Sequence, residues 1–134
     1  MSRTRSFLAL DVGEKRIGVA LGDDGVRLAF PYETIEVDGG EIVRIAELAI
    51  AERADVIVVG YPRNQSGEAT AQTAYVEEFV KQLGDLDAPI VFQDESLTSV
   101  LAEQRLQSYK KPYSKGDIDA LAAAIILQDY LEQH

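Results

Sequence analysis

The run Val56-Ile57-Val58-Val59, closed by Gly60, limits what this chain can fold into more than any other stretch. Four apolar β-branched residues with no polar alternation make a strand that is buried on both faces. Such a strand needs a sheet covered on both sides by other elements. The flanking sequence supplies them. Ahead of the run, Ile42, Ile45, Ala46, Ala49 and Ile50 recur at helical spacing. After it, Glu68 to Leu83 is helical in pattern, with Ser66 available as a cap and Gly84 as a stop.

The remaining elements arrange themselves around that strand. Phe7 to Asp11 reads as a second buried strand, and Gly13 with Glu14-Lys15 marks a turn. Arg16 to Leu21 reads as a strand with Ile17, Val19 and Leu21 on one face. Gly22-Asp23-Asp24-Gly25 is a strong turn signal, which predicts a third strand folding back as a hairpin and ending near Val37. Pro31 places that strand at an edge or interrupts it. Pro89 to Gln93 reads as a further strand. Ser99 to Gln107 reads as a helix capped by Thr98 or Ser96, and Lys115 to Leu131 as a last helix rich in alanine and leucine. The order is βββ-α-β-α-β-α-α. It predicts an α/β fold in one domain over residues 1–134, with a mixed five-stranded sheet and helices on both faces.

Composition narrows the setting. Hydrophobic residues make up 46% of the 134, enough for a sizeable core. There is no cysteine, which removes disulfides and thiolate metal sites and suits a reducing cytoplasm. The N-terminal residues have no apolar signal segment, and no run is long enough to span a bilayer, so no membrane role is expected. The net charge of −10 opposes a general nucleic-acid binder. The cations are not spread evenly, however. They gather at Arg3 and Arg5, at Lys15 and Arg16, and at Arg105, Lys110, Lys111 and Lys115, as a basic rim on an acidic body would require.

Candidate chemistry rests on three acids. Asp11 ends the first strand, Glu95 ends the strand after Pro89, and Asp119 lies near the start of the last helix. Strand ends of open α/β sheets are where such folds place their sites, and three carboxylates brought together by folding could hold a hard cation such as Mg²⁺. Taken alone, Asp11-Val12-Gly13 is also an ordinary turn. Asp94 and Glu95 are adjacent on a strand and point to opposite sides, so only one can face a given site. Asp117 and Asp119 are separated by about 200° around a helix, and Ser114-Lys115-Gly116-Asp117 has the form of a capping box. Asp117 therefore has a structural role, which leaves Asp119 for the site.

Four stretches carry a resemblance that spans nearly the whole chain: Asp11-Val12-Gly13-Glu14-Lys15-Arg16-Ile17-Gly18-Val19-Ala20, Val58-Val59-Gly60-Tyr61-Pro62-Arg63-Asn64, Asp94-Glu95-Ser96-Leu97-Thr98-Ser99, and Ile118-Asp119 through Gln128. Together they resemble the YqgF (RuvX) family, within the ribonuclease H-like superfamily. That resemblance implies a ribonuclease H-like fold and a nuclease that cuts structured nucleic acid. The favoured substrate is the 5′ end of pre-16S ribosomal RNA, within pre-ribosomal particles. A Holliday-junction resolvase acting on DNA is the alternative, and RNA is favoured over DNA.

The resemblance also selects Asp11, Glu95 and Asp119 as catalytic residues and as ligands of two Mg²⁺ or Mn²⁺ ions, in a two-metal hydrolysis that needs no covalent nucleophile. Lys15, Arg16, Arg63, Asn64, Lys110, Lys111 and Lys115 are the candidate substrate-binding residues. Lys15 and Arg16 read equally as solvated turn charge. Ser96 stands where the family commonly has arginine, so a phosphate contact is either missing or supplied by another cation such as Arg63. Two readings from other classes remain. The Asp-x-Gly hairpin also resembles the phosphate-binding start of actin-like ATP-binding domains. A non-catalytic ribosome-assembly or nucleic-acid-binding factor would keep the same fold.

Overall fold

The computed structural model describes residues 4–63, 66–84, 86–95, 104, 107 and 114–134. Five strands form one sheet: β1 (Ser6–Val12), β2 (Arg16–Asp23), β3 (Ala29–Glu36), β4 (Val56–Pro62) and β5 (Ile90–Glu95). The helices are α1 (Glu41–Ala51), α2 (Ala71–Gln82) and α3 (Lys115–Gln133). The strand order is β3-β2-β1-β4-β5. The first three strands pair antiparallel as a meander, and β1-β4 and β4-β5 pair parallel. This is the expected ribonuclease H-like mixed sheet. The helix expected over Ser99–Gln107 falls almost wholly outside the described residues, as do its candidate caps Ser96 and Thr98.

Alternation along the strands divides the core into two layers. Leu8, Leu10, Ile17, Val19, Ile57 and Val59 pack with Ile45, Leu48, Val76 and Phe79 of α1 and α2. Phe7, Ala9, Ala20, Val56 and Val58 pack with Ala123, Ile126, Leu127 and Leu131 of α3. The apolar run in β4 is buried on both faces for that reason. Asp11, Arg16, Gly18, Gly60 and Glu95 share the parity of the second layer, so they lie on the α3 side of the sheet.

The helix α3 is fastened at both ends by the β2-β3 hairpin. At its start, the Thr34 hydroxyl donates to the Gly116 carbonyl at 2.6 Å. A Cβ on Gly18 would stand 1.9 Å from the Asp119 carbonyl oxygen, so only glycine lets the helix backbone rest on β2 there. At its end, the Arg27 guanidinium donates to the Leu131 carbonyl, and Gln128 bonds both the Arg27 carbonyl and the Ala29 amide.

Two details differ from the sequence reading. Ser66 does not cap α2: Thr70 does, in a capping box with Thr73, so the helix begins at Ala71 rather than Glu68. Threonine pairs can close that box as well as the usual Ser/Thr with Glu/Gln. Ile50 is 78% exposed although it keeps the helical period, and Leu48 takes the buried place instead. Pro31 lies on an edge strand as expected, and the β2-β3 register shifts between Val19 and Ala20, beside it.

Candidate metal and nucleic-acid site

One tight turn and two glycines build the site. The Gly13 amide donates to the Arg16 carbonyl at 3.0 Å, closing the β1-β2 turn directly after Asp11. Gln72 of α2 donates to the Val12 carbonyl at 3.0 Å and so pins the same turn from the opposite layer. Asp11 stands opposite Gly18 in the β1-β2 register, and the α3 backbone at Asp119 and Ala120 rests on Gly18. The backbone of Asp119 is therefore held beside the strand position of Asp11. Glu95 ends β5 opposite Pro62. A Cβ on Gly60 would lie 2.1 Å from the Glu95 Oε2 atom, so this glycine leaves the space its carboxylate fills.

Asp11 and Glu95 meet as a hydrogen-bonded carboxyl pair. Burial, then the charge of Asp119, pushes Asp11 from 3.8 up to about 7, partly offset by its hydrogen bond with Glu95. Burial, then the charge of Asp11 and the bond between them, pushes Glu95 from 4.5 up to about 8. Two carboxylates in a low-dielectric pocket cannot both stay ionised without a cation, so the pair retains a proton. The Glu95 Oε2 atom is buried with no hydrogen-bond partner. An orphaned buried carboxylate oxygen is costly, and a cation ligand is one of the few roles that explains it.

Asp119 stands differently. Its Oδ2 accepts from the Arg16 Nε at 2.6 Å in a partly buried ion pair. Its charge reaches Asp11, but among the described residues no three acidic or histidine side chains are close enough to form a finished metal cage. The donor set still fits a hard divalent ion: two converging carboxyls, a free oxygen, and a third acid within electrostatic reach.

The other expected residues divide. Arg16 is more than solvated turn charge, because its Nε is held by Asp119 while the side chain remains partly exposed. Arg63 pairs with Asp94 at 3.4 Å and lies 5.0 Å over the Tyr61 ring, so it too is engaged, though half exposed. Asp94 and Glu95 do point to opposite sides, with Asp94 outward. Lys15 is exposed beside Arg16, and Lys115 is exposed in the first turn of α3. Asn64, Lys110 and Lys111 lie outside the described residues. The Ser114-Asp117 capping box is present, with the Asp117 Oδ2 accepting from the Ser114 amide at 2.9 Å. The sequence reading missed Gln72, Gly18 and Gly60. A glycine inside a strand pattern signals close approach, which was the available cue for the last two.

Comparisons with known proteins place the family and the fold. A sequence profile of the RuvX family, described as Holliday junction resolvase, matches residues 5–133. A relative from Chloroflexus aggregans named "Putative pre-16S rRNA nuclease" is 44% identical, over 96% of this chain and 94% of its own. One of the same name from Crocosphaera subtropica is 46% identical, over 96% and 93%. Among solved structures, Thermus thermophilus RuvC bound to a Holliday junction superposes with a TM-score of 0.59 at 16% identity, covering 96% of this chain and 94% of that one. Fowlpox virus resolvase with its junction DNA superposes at 0.56 and 11%, covering 96% and 97%. With the ribonuclease H-like sheet in place and the profile matched almost end to end, the chain belongs to the RuvX family of nucleases.

Proposed function

We propose that this chain is a divalent-metal-dependent nuclease that hydrolyses phosphodiester bonds at the 5′ end of pre-16S ribosomal RNA. The carrying observation is the buried Asp11-Glu95 pair with its unpartnered Glu95 oxygen. Asp11, Glu95 and Asp119 would together hold Mg²⁺ or Mn²⁺, with two ions proposed. Bound there, the metal would supply an activated water and charge stabilisation for the leaving oxygen.

The remaining residues position and neutralise. Asp11 and Glu95 release their shared proton on binding a cation, so metal affinity rises with pH. Arg16 fixes the orientation of the Asp119 carboxylate, and Gln72 keeps the Asp11 turn from moving. Lys15, Lys115 and the lysines of the 110–111 segment meet the phosphate backbone. No side-chain nucleophile is required, which suits a chain without cysteine whose single histidine stacks on Tyr130. We read residues 1–134 as one domain working in the cytoplasm on pre-ribosomal particles. No helix among the described residues is long and apolar enough to cross a membrane.

The names of the relatives support RNA, whereas the family description supports a second reading, cleavage of four-way DNA. Labelled pre-ribosomal RNA and a four-way DNA junction, incubated side by side with Mn²⁺, Mg²⁺ or chelator, separate the two. Metal-dependent cutting of the RNA alone supports the leading reading. Cutting of the junction alone replaces it with the second, and no cutting of either overturns both.

A further inference from the structure

Around the edge of β5, away from the three acids, lies a cavity of ≈ 550 Å³ that the proposed chemistry does not use. Its floor is aromatic. Tyr61 and Phe92 pack with ring centroids 4.8 Å apart and planes inclined at 56°. The Arg63 guanidinium sits 5.0 Å above the Tyr61 ring. Phe92 is 44% exposed, an unusual position for a phenylalanine on a strand. The Tyr61 hydroxyl is anchored by Glu77 at 3.2 Å, and Arg63 by Asp94 at 3.4 Å, so the group is held in place rather than loose.

We propose that Arg63, Tyr61 and Phe92 form a stacking platform for an unpaired nucleobase of the strand being cut. The proposal rests on the nuclease reading and deepens it, by making a single-stranded nucleotide beside the scissile phosphate part of the recognised substrate. Aromatic faces with an arginine beside them are how proteins bind single strands, since every base has a π-face.

Charge argues that the occupant is a base rather than a phosphate. Glu77, Asp94 and Asp129 line the cavity, and their carboxylates repel a phosphate while accepting from base N–H groups. Position argues for continuity with the acids. Tyr61 pairs with Asp94 and Pro62 with Glu95 in the sheet register, so Arg63 directly follows the position opposite Glu95. Phe92 lies three residues before Glu95 on β5, about 10 Å at the rise of a strand. A strand held at Glu95 that rounds the β5 edge would reach Arg63 and then the rings.

The chain has no tryptophan, so Phe92→Trp gives a single-tryptophan reporter at the platform. Its emission is followed in chelator, where no cleavage occurs, during titration with a short single-stranded oligonucleotide and with a blunt duplex, each as RNA and as DNA. The expected result is quenching by single strands and little change with the duplex. In parallel, Phe92→Ala is expected to weaken single-strand binding about tenfold while Phe92→Tyr retains it, the scale of one lost base stack. Melting curves establish that each variant is folded, as the exposure of Phe92 leads one to expect. Unquenched emission together with wild-type affinity in Phe92→Ala overturns the platform. Absence of metal-dependent cleavage of both pre-ribosomal RNA and four-way DNA overturns the nuclease reading itself, whereas loss of the stacking signals with cleavage intact overturns only the platform, so the two failures are distinguishable.

Discussion

At the scale of single residues, the proton shared by Asp11 and Glu95 has a measurable cost. Both groups are raised in the folded chain, Asp11 from 3.8 to about 7 and Glu95 from 4.5 to about 8. The folded state therefore binds more protons than the unfolded one between those limits. Their contribution to stability is complete below pH 3.8 and is lost as pH rises through about 7 and 8. Thermal melts in chelator should show stability falling across that window, and Asp11→Asn should flatten the fall and melt higher at pH 8. The same variant should cut no nucleic acid with saturating Mn²⁺; unchanged turnover would remove Asp11 from the mechanism. The acids themselves were legible in the chain because each ends a strand or opens a helix. The Arg16-Asp119 pair was not, since its partners are separated by 103 positions and only the docked helix brings them together.

At the scale of elements, α3 sends two acids two positions apart to different partners. Asp117 closes the capping box and Asp119 faces the sheet. Asp117→Asn should keep metal-dependent cleavage and cost about 0.5–1 kcal/mol in a denaturant melt, the scale of a weakened cap. Asp119→Asn should lose cleavage and keep its fold. The reverse pattern would mean that the helix sits about half a turn from its assigned orientation. This division was readable from Ser114 and Asp117 three positions apart, a local pattern that needs no tertiary knowledge. The bed on which the helix lies was not readable, because Gly18 looks like any strand glycine until its neighbour is known. Gly18→Ala forces a Cβ into the Asp119 carbonyl, and an overpacked contact of this kind should cost about 1–3 kcal/mol. Reduced cleavage alongside the lower melting point would show that the displaced helix carries Asp119 with it.

At the scale of the whole molecule, an acidic body must approach a polyanion. Net charge is −10, and among the described residues Arg5, Arg16, Arg44 and Arg63 are each paired with an acid, which offsets part of their charge. Binding should therefore depend on salt only moderately, with a slope of roughly −2 to −4 in log affinity against log salt, as two to four phosphate contacts would give. A slope near −8, read from binding at several salt concentrations, would require a broad basic face. The five-stranded architecture followed from alternation and turn signals, whereas the sharing of α3 between the core and the site followed only from the folded structure. That sharing has a consequence for how the protein is made. A ribosome delivers α3 after every strand it covers, so the nascent sheet has one bare apolar face and an incomplete acidic set. The β2-β3 hairpin, finished early, waits as a cradle with receptors for both ends of the helix. With Asp119 in the role proposed for it, cutting power arrives only with α3, and a chain whose translation stops before α3 should be silent as a nuclease.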